Sequence, residues 1–515
     1  MSQKAIYSDF SGGLSDGDRN AQPNQYYAGK DIDLYKNWGY LTPGWPLTEI
    51  TINSPGLIGN VIEIVYDRTS KYNYIVEETT GRIYLINYPS IVPTNTPLGN
   101  GTNYVTISSF LSTVKGTIAY MSDTTGGQTA GYYAIFNWKT DTGGGTGAGG
   151  IAIGKVGTNN WGNIAAVNFI PGFRTGLSQN GKADIIIWQT FVIYTNGEYI
   201  GRMDNSANPT VFTDQFIDLG SSWTSQLLFN TNNNYLGIVA SNNEGEWKIF
   251  IYDLGTNLIQ VIPLLGITNI TSVTNNQGNI ILTGNNGFES VSMLLTDTGI
   301  QKLNNLQHDI NGILIDVGSS LQNAVSFYKN GILLGTSRFI FGYGSRNGNS
   351  NPILSTPASI PVNPNTSNPT IYSLKQTPGA NSDYLVGYFN GIDNFYHVGY
   401  YQISGSLINK AVSVWKGVYS DLGQKCVLNY IKVYFKKLVS NDIATLSIDS
   451  NYGTANAIQQ DGGVISFVLD GATTFKKFDL GQIECDNFRP VINWSSSGGG
   501  PQISKIVIDY DFLND

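Results

Sequence analysis

Triplets of short apolar strands, recurring about every 45 to 55 residues, limit what this chain can fold into. The clearest is residues 235–264, YLGIVASNNEGEWKIFIYDLGTNLIQVIPL. From Tyr235 to Ala240 every residue but Gly237 is apolar or aromatic. Asn242-Asn243-Glu244-Gly245 follows, a run that tolerates positive φ at a hairpin turn. In the second strand Trp247, Ile249 and Ile251 alternate with Lys248, Phe250 and Tyr252, so both faces carry apolar side chains. Asp253-Leu254-Gly255-Thr256-Asn257 turns the chain again, and residues 258–264 return. A sheet this small cannot bury two apolar faces alone; it needs a similar sheet on each side.

The rest of the chain supplies such sheets. Strands are expected at 61–67, 72–78 and 81–88, then at 117–123, 131–138 and 150–156 around the glycine-rich loop 141–150. A third unit spans 183–189, 191–197 and 198–204; the opening triplet, preceded by 225–231, is the fourth. The fifth covers 269–303, the sixth 324–344, and the seventh 370–376 with 383–403. A closed ring buries both faces of every sheet and leaves only short edges. The expected fold is therefore all-β: a β-propeller of about seven blades over residues 56–404, with six or eight as the alternatives. After Ser404 six alternating strands, at 426–438, 444–450, 463–470, 474–481, 488–494 and 503–512, predict a C-terminal β-sandwich over 405–515. Residues 1–55 alternate little and read as an extended N-terminal arm docked on the body, with one helical turn near Gln25–Gly29.

Composition agrees with strands and turns. The 515 residues include 60 Gly and 31 Tyr, and only 13% are charged, about half the usual share. The net charge of −8 is spread thinly, without the basic stripe by which a protein grips phosphates. No apolar run is long enough to span a bilayer, and MSQKAIYSDFSGG lacks the apolar core of a signal peptide, so no export by that route is expected. Cys426 and Cys485 read as buried reduced thiols, a disulfide across the C-terminal domain being the alternative. Lys425, Lys432, Lys436, Lys437, Lys476, Lys477 and Lys505 read as a solvated strand face, or else a contact for an acidic partner.

Catalytic signals are thin. His308 lies in a polar connector and His397 in a blade strand, neither in a pattern that prepares a nucleophile. No CxxC, HxxxH or EF-hand pattern occurs, and Asp16-Gly17-Asp18 is too short to imitate the last. Glycoside hydrolysis would need a carboxylate pair. Glu63, Glu77, Glu78, Glu246 and Asp253 are the candidates, but strand-end carboxylates are commonly turn-makers, and no Asp-box repeat is present. GTGAGG at 145–150 has no helix after it to hold a dinucleotide phosphate. No catalytic residue, cofactor site or metal site is assigned, and the chain is expected not to be an enzyme.

The arm carries the informative motif. Asp9-Phe10-Ser11-Gly12-Gly13-Leu14, Pro23-Asn24-Gln25, Lys30-Asp31-Ile32-Asp33-Leu34, Gly39-Tyr40-Leu41 and Pro43-Gly44-Trp45 follow one another within about 40 residues. This string resembles the opening of tail-nozzle and packaged-DNA-stabilising (head-completion) proteins of short-tailed bacteriophages, where it precedes a β-propeller. The resemblance implies a virion structural protein at the portal or tail vertex, assembled in the host cytoplasm. It implies a homo-oligomeric ring, a hexamer, that meets a portal or adaptor protein and other tail proteins and lets DNA pass. At 515 residues the chain is compact beside the larger nozzles, which leaves extra tip domains unsupported. The alternative from a different class is a carbohydrate-binding or depolymerase propeller on a virion or cell surface. Deep acidic, aromatic-lined pockets would favour that reading.

Overall fold

The computed structural model describes most of the chain. The larger stretches outside the described residues are 15–24, 35–39, 88–93, 123–128, 142–147, 163–167, 303–321, 345–352, 361–370, 378–382, 402–412, 437–442, 451–454, 469–473 and 495–501. Shorter interruptions fall in the arm, in turns and at the two chain ends. The described residues form strands and turns, with no α-helix among them.

Seven antiparallel sheets form the propeller, the first three strands of each following one another in chain order. Blade 1 opens with Val61–Tyr66, blade 2 with Leu111–Met121, blade 3 with Ile185–Trp188 and blade 4 with Trp223–Asn230. Blade 5 opens with Asn269–Asn276, blade 6 with Val325–Tyr328 and blade 7 with Ile371–Thr377. These opening strands touch their neighbours around the axis, and the last meets the first, so the ring is closed.

Blade 4 shows why a ring is required. Trp247, Ile249 and Ile251 pack with Ile270, Ile280 and Leu282 of blade 5. Phe250 and Tyr252, on the other face, pack with Trp188, Ile193 and Ile200 of blade 3. Its turns are those the sequence predicts: Gly245 has φ 83°, and the Asp253 carboxylate accepts the amides of Gly255 and Asn257, both at 2.8 Å. Each blade also has an outer strand, and the sequence conceals several of them. Phe169–Leu177, Val211–Asp218 and Ile353–Ser359 were not expected; the first two are edge strands half exposed on both faces, which need no apolar alternation.

Blade 7 takes its outer strand from the arm. Leu47–Ile50 pairs antiparallel with Phe395–Tyr401, from Leu47 opposite Tyr401 to Ile50 opposite Val398. The start of the propeller segment is thus stitched to its end. The rest of the arm joins the C-terminal strands. Gln3–Ser8 pairs along Ile503–Phe512, and Gln25–Lys30 pairs with Ser413–Gly417. Gln25–Gly29 is therefore strand, not a helical turn: its backbone groups find partners in a sheet supplied by a segment nearly 400 residues away, which local pattern cannot reveal.

The strands expected of the sandwich form one curled, ten-stranded sheet built on the long strands Ser420–Phe435 and Phe475–Trp494. The second of these unites the separately expected 474–481 and 488–494. The curled sheet shares its core with blades 6 and 7, where Tyr7, Phe10, Ile32, Leu34, Leu41 and Trp45 of the arm fill the seam. Trp45 stacks on Tyr384 of blade 7 at 5.9 Å and donates Nε1–H to Asp33 Oδ2 at 2.7 Å. Phe10 meets Trp415 edge-on at 5.5 Å. Tyr35 and Trp38 of the arm lie outside the described residues.

Candidate functional site: a polar crossing of the propeller axis

Charged and amide side chains gather where the opening strands converge. Gln322 and Asn323 lead into blade 6, and both reach across the axis. The Asn323 Nδ2 group donates to the carbonyls of Ile62 in blade 1, at 2.6 Å, and Val114 in blade 2, at 2.8 Å. Gln322 Nε2 donates to the Ala183 carbonyl at the entry to blade 3, at 2.7 Å. From blade 2, Lys115 Nζ returns a hydrogen bond to Asn323 Oδ1 at 2.7 Å and lies 3.8 Å from Glu63 Oε2 of blade 1. Lys182, just before blade 3, donates to the Ile270 carbonyl of blade 5 at 2.6 Å. Blade 4 is held by Asp184, whose Oδ2 accepts the Leu228 amide at 2.7 Å. Ser373 of blade 7 donates to the Val61 carbonyl at 2.7 Å. Every blade is thereby tied to another through a polar contact that is buried or partly buried.

The electrostatics follow from burial. Glu63 is 2% exposed, and burial raises its pKa against the pull of Lys115 and Lys375. Burial pushes Asp184 up to about 6, opposed by Lys115 and by the two amides its carboxylate accepts. Burial lowers Lys182 to about 8, against the attraction of Asp184, and it also lowers Lys375 against that of Glu63. Three ammonium and two carboxyl groups therefore share the axis, each costly alone and tolerable only together. Glu63 Oε2 and Gln322 Oε1 accept no hydrogen bond in the structure, Glu63 being balanced by the Lys115 ammonium 3.8 Å away. Chemically the arrangement is a brace. Hydrogen bonds of this length across the axis close the propeller's own channel at that level. Asn323→Ala should cost about 2–4 kcal/mol, since two buried carbonyls and an ammonium lose their partner. A denaturant midpoint corresponding to less than about 0.5 kcal/mol would show that the brace carries no load.

Of the carboxylates weighed from sequence, only Glu63 lies in this cluster; Asp184 had given no signal, being one acid ahead of an apolar strand. Glu77 is buried at a strand end, where it accepts a hydrogen bond from Thr80, and burial raises its pKa. Glu78 accepts from Asn60 at 2.7 Å and is likewise raised by burial. Glu246 is a hairpin residue bonded to Asn242 at 3.0 Å. Asp253 is the turn-maker described above, and the Asn257 side chain and backbone hold its pKa down. His397 sits between Glu49 of the closing strand, 2.8 Å from Nδ1, and Asp393, 3.0 Å from Nε2, with Tyr388 stacked on its ring. His308, Lys437 and Asp16-Gly17-Asp18 lie outside the described residues. Lys432 and Lys477 project from the curled sheet, with Lys432 over Phe475 and Lys477 over Tyr430, each at 4.1 Å. Among the described residues no cluster of His, Cys, Asp and Glu could hold a metal ion.

The axis, the ring and the closing strand define a closed seven-bladed propeller with an appended curled sheet. No protein-family model matches the chain, and no curated protein matches it. Solved structures resemble it weakly. A luciferin-regenerating enzyme is similar over 70% of this chain and 95% of its own, at 7% identity and a TM-score of 0.36. A protein described as a putative gluconolactonase covers 52% of this chain and 84% of its own, at 7% identity and TM-score 0.29. An auxiliary nutrient-binding protein from Bacteroides thetaiotaomicron covers 78% of this chain and 77% of its own, at 11% identity and TM-score 0.34.

Proposed function

We propose that the protein is a virion structural subunit that extends or closes the portal or tail channel of a short-tailed bacteriophage, retaining DNA and then letting it pass. The observation that carries this reading is the arm. Its motif string resembles that of nozzle and head-completion proteins, and Phe10, Ile32, Leu34, Leu41 and Trp45 of that string are the side chains that weld propeller to curled sheet. A rigid, welded body suits a ring component. The braced axis supports a passage between subunits, since a duplex about 20 Å across needs far more room than a propeller axis crossed by hydrogen bonds.

A ring also needs adhesive surface. The outer strand of blade 4, Leu258–Pro263, is an uncovered edge bearing exposed Leu258, Ile259 and Val261, and Leu265 just beyond is 87% exposed. It carries no charge, and natural edges of this kind are usually blunted by charge or covered. This rim is the proposed subunit contact. Imaging of the protein mixed with its portal or adaptor should reveal an axial hexameric ring. Ile259→Lys with Val261→Lys should abolish the ring while leaving the melting temperature of the subunit unchanged. A monomer placed peripherally, on a fibre or capsid face, would overturn the proposal in favour of a binding propeller.

A further inference from the structure

Cys426 and Cys485 are direct partners across the two longest strands of the curled sheet. Their Sγ atoms are 3.7 Å apart, both side chains are buried, and both thiols are free. Directly opposed residues in an antiparallel pair have Cα atoms about 4.5–5.5 Å apart, inside the range a disulfide spans. Closing the bond therefore requires side-chain rotation and an approach of the sulfurs, with no rearrangement of the strands. A local opening of the strands beside them would give a small molecule its entry. Pairing between the strands skips from Asp421 to Cys426, and the residues before Cys426, Gly423 to Lys425, are exposed, with Gly423 at φ 64°. The thiols thus sit on the first rung beside an irregular, open stretch of ladder.

We propose that Cys426 and Cys485 are a redox pair that closes into an intramolecular cross-strand disulfide when the protein meets a small-molecule disulfide. Burial raises the pKa of both thiols, Cys485 furthest, while the hydrogen bond from Cys485 favours the thiolate of Cys426. Cys426 is accordingly the attacking sulfur. Its thiolate displaces one thiolate from the small disulfide, giving a mixed disulfide. Cys485 then loses its proton and attacks Cys426 Sγ, expelling the second small thiolate. Two protein thiols are oxidised, one small disulfide is reduced to two thiols, and the two protons end on the leaving groups. The new bond would close a loop between positions 59 residues apart and pin the two longest strands of the curled sheet. This inference does not depend on the virion reading.

The test uses the full chain and oxidised glutathione. The expected product has lost the mass of two hydrogen atoms, carries no glutathione, shows no titratable thiol after denaturation, and melts higher by on the order of 4 °C, reversibly with dithiothreitol. Cys485→Ser should instead trap a single glutathione on Cys426. Wild-type protein that keeps both thiols, takes up two glutathiones, or forms disulfide-linked dimers would overturn the proposal; the wild-type mass alone decides the matter if the variant fails to fold.

Discussion

Deleting residues 1–46 is expected to abolish cooperative folding of the whole chain. The deletion removes Tyr7, Phe10, Ile32, Leu34, Leu41 and Trp45, all buried in the seam between blades 6 and 7 and the curled sheet. At roughly 1.5–3 kcal/mol for each large apolar side chain, the loss is about 9–18 kcal/mol as an upper bound. That equals or exceeds the roughly 5–15 kcal/mol by which folded proteins exceed their unfolded chains. The backbone loses as well: Ile503–Phe512 is left with an unpaired edge, and the two hydrogen bonds between Leu41 and Ile503 disappear. The truncated protein should be insoluble, or should melt without a sharp transition in calorimetry. An unchanged melting temperature and oligomer size would mean that the arm merely drapes over a body stable without it.

Lys139→Met should stabilise the protein near pH 6 by about 3 kcal/mol and lose that advantage in alkali. Lys139 is fully buried in blade 2, its Nζ donating to the Asn180 carbonyl, and burial lowers its pKa from 10.5 to about 7. Between about pH 7 and 10.5 the unfolded chain binds a proton there that the folded chain does not. Stability of the natural protein should therefore rise with pH through that window, and below it the charged lysine carries its full cost. A shift of this size corresponds to about 4–5 kcal/mol, less what Met forfeits with the hydrogen bond. Methionine has no proton to lose, so its variant should lack the rise. Urea denaturation at about pH 6, 8 and 9.5 would resolve the two slopes. Parallel profiles would mean that Lys139 reaches water in solution.

How much of this was legible depends on how local the cause is. Blade 4 could be read in full because Trp247, Ile249 and Ile251 must face one sheet while Phe250 and Tyr252 face another, and Gly245 fixes the turn between. Seven such units imply a ring. What escaped was non-local. Leu47–Ile50 has only one apolar residue on each face, Leu47 and Ile50, and looks like loop until Phe395–Tyr401 offers its backbone. Gln25–Lys30 was misread for the same reason. At the axis, Glu63 was weighed only as one of five candidate carboxylates, and Asn323 was not weighed at all. An asparagine in a polar connector becomes a brace only when the ring brings Ile62 and Val114 within reach. Lys432 does lie on a strand face, as the strict alternation of 426–438 suggested; Lys477 lies beside it on the paired strand, although Lys476-Lys477 breaks that alternation.

The stitching of the chain's beginning to its end sets an order of events during synthesis. Ile50 must wait for Val398, and Gln3 for Tyr510, before either edge is satisfied. At roughly 5–20 residues per second, the closing strand of blade 7 spends on the order of 20–70 s without its partner while blades 1 to 6 emerge. During that interval the arm's apolar anchors lack the partners they pack against in the folded chain. Contacts so distant in sequence form slowly, because a long loop must close before any of them is rewarded. The ring's last joint can therefore close once residues 395–401 have emerged, whereas the edge that Gln3–Ser8 completes waits roughly a hundred residues longer for its partner strand, so closure of the propeller precedes completion of the curled sheet.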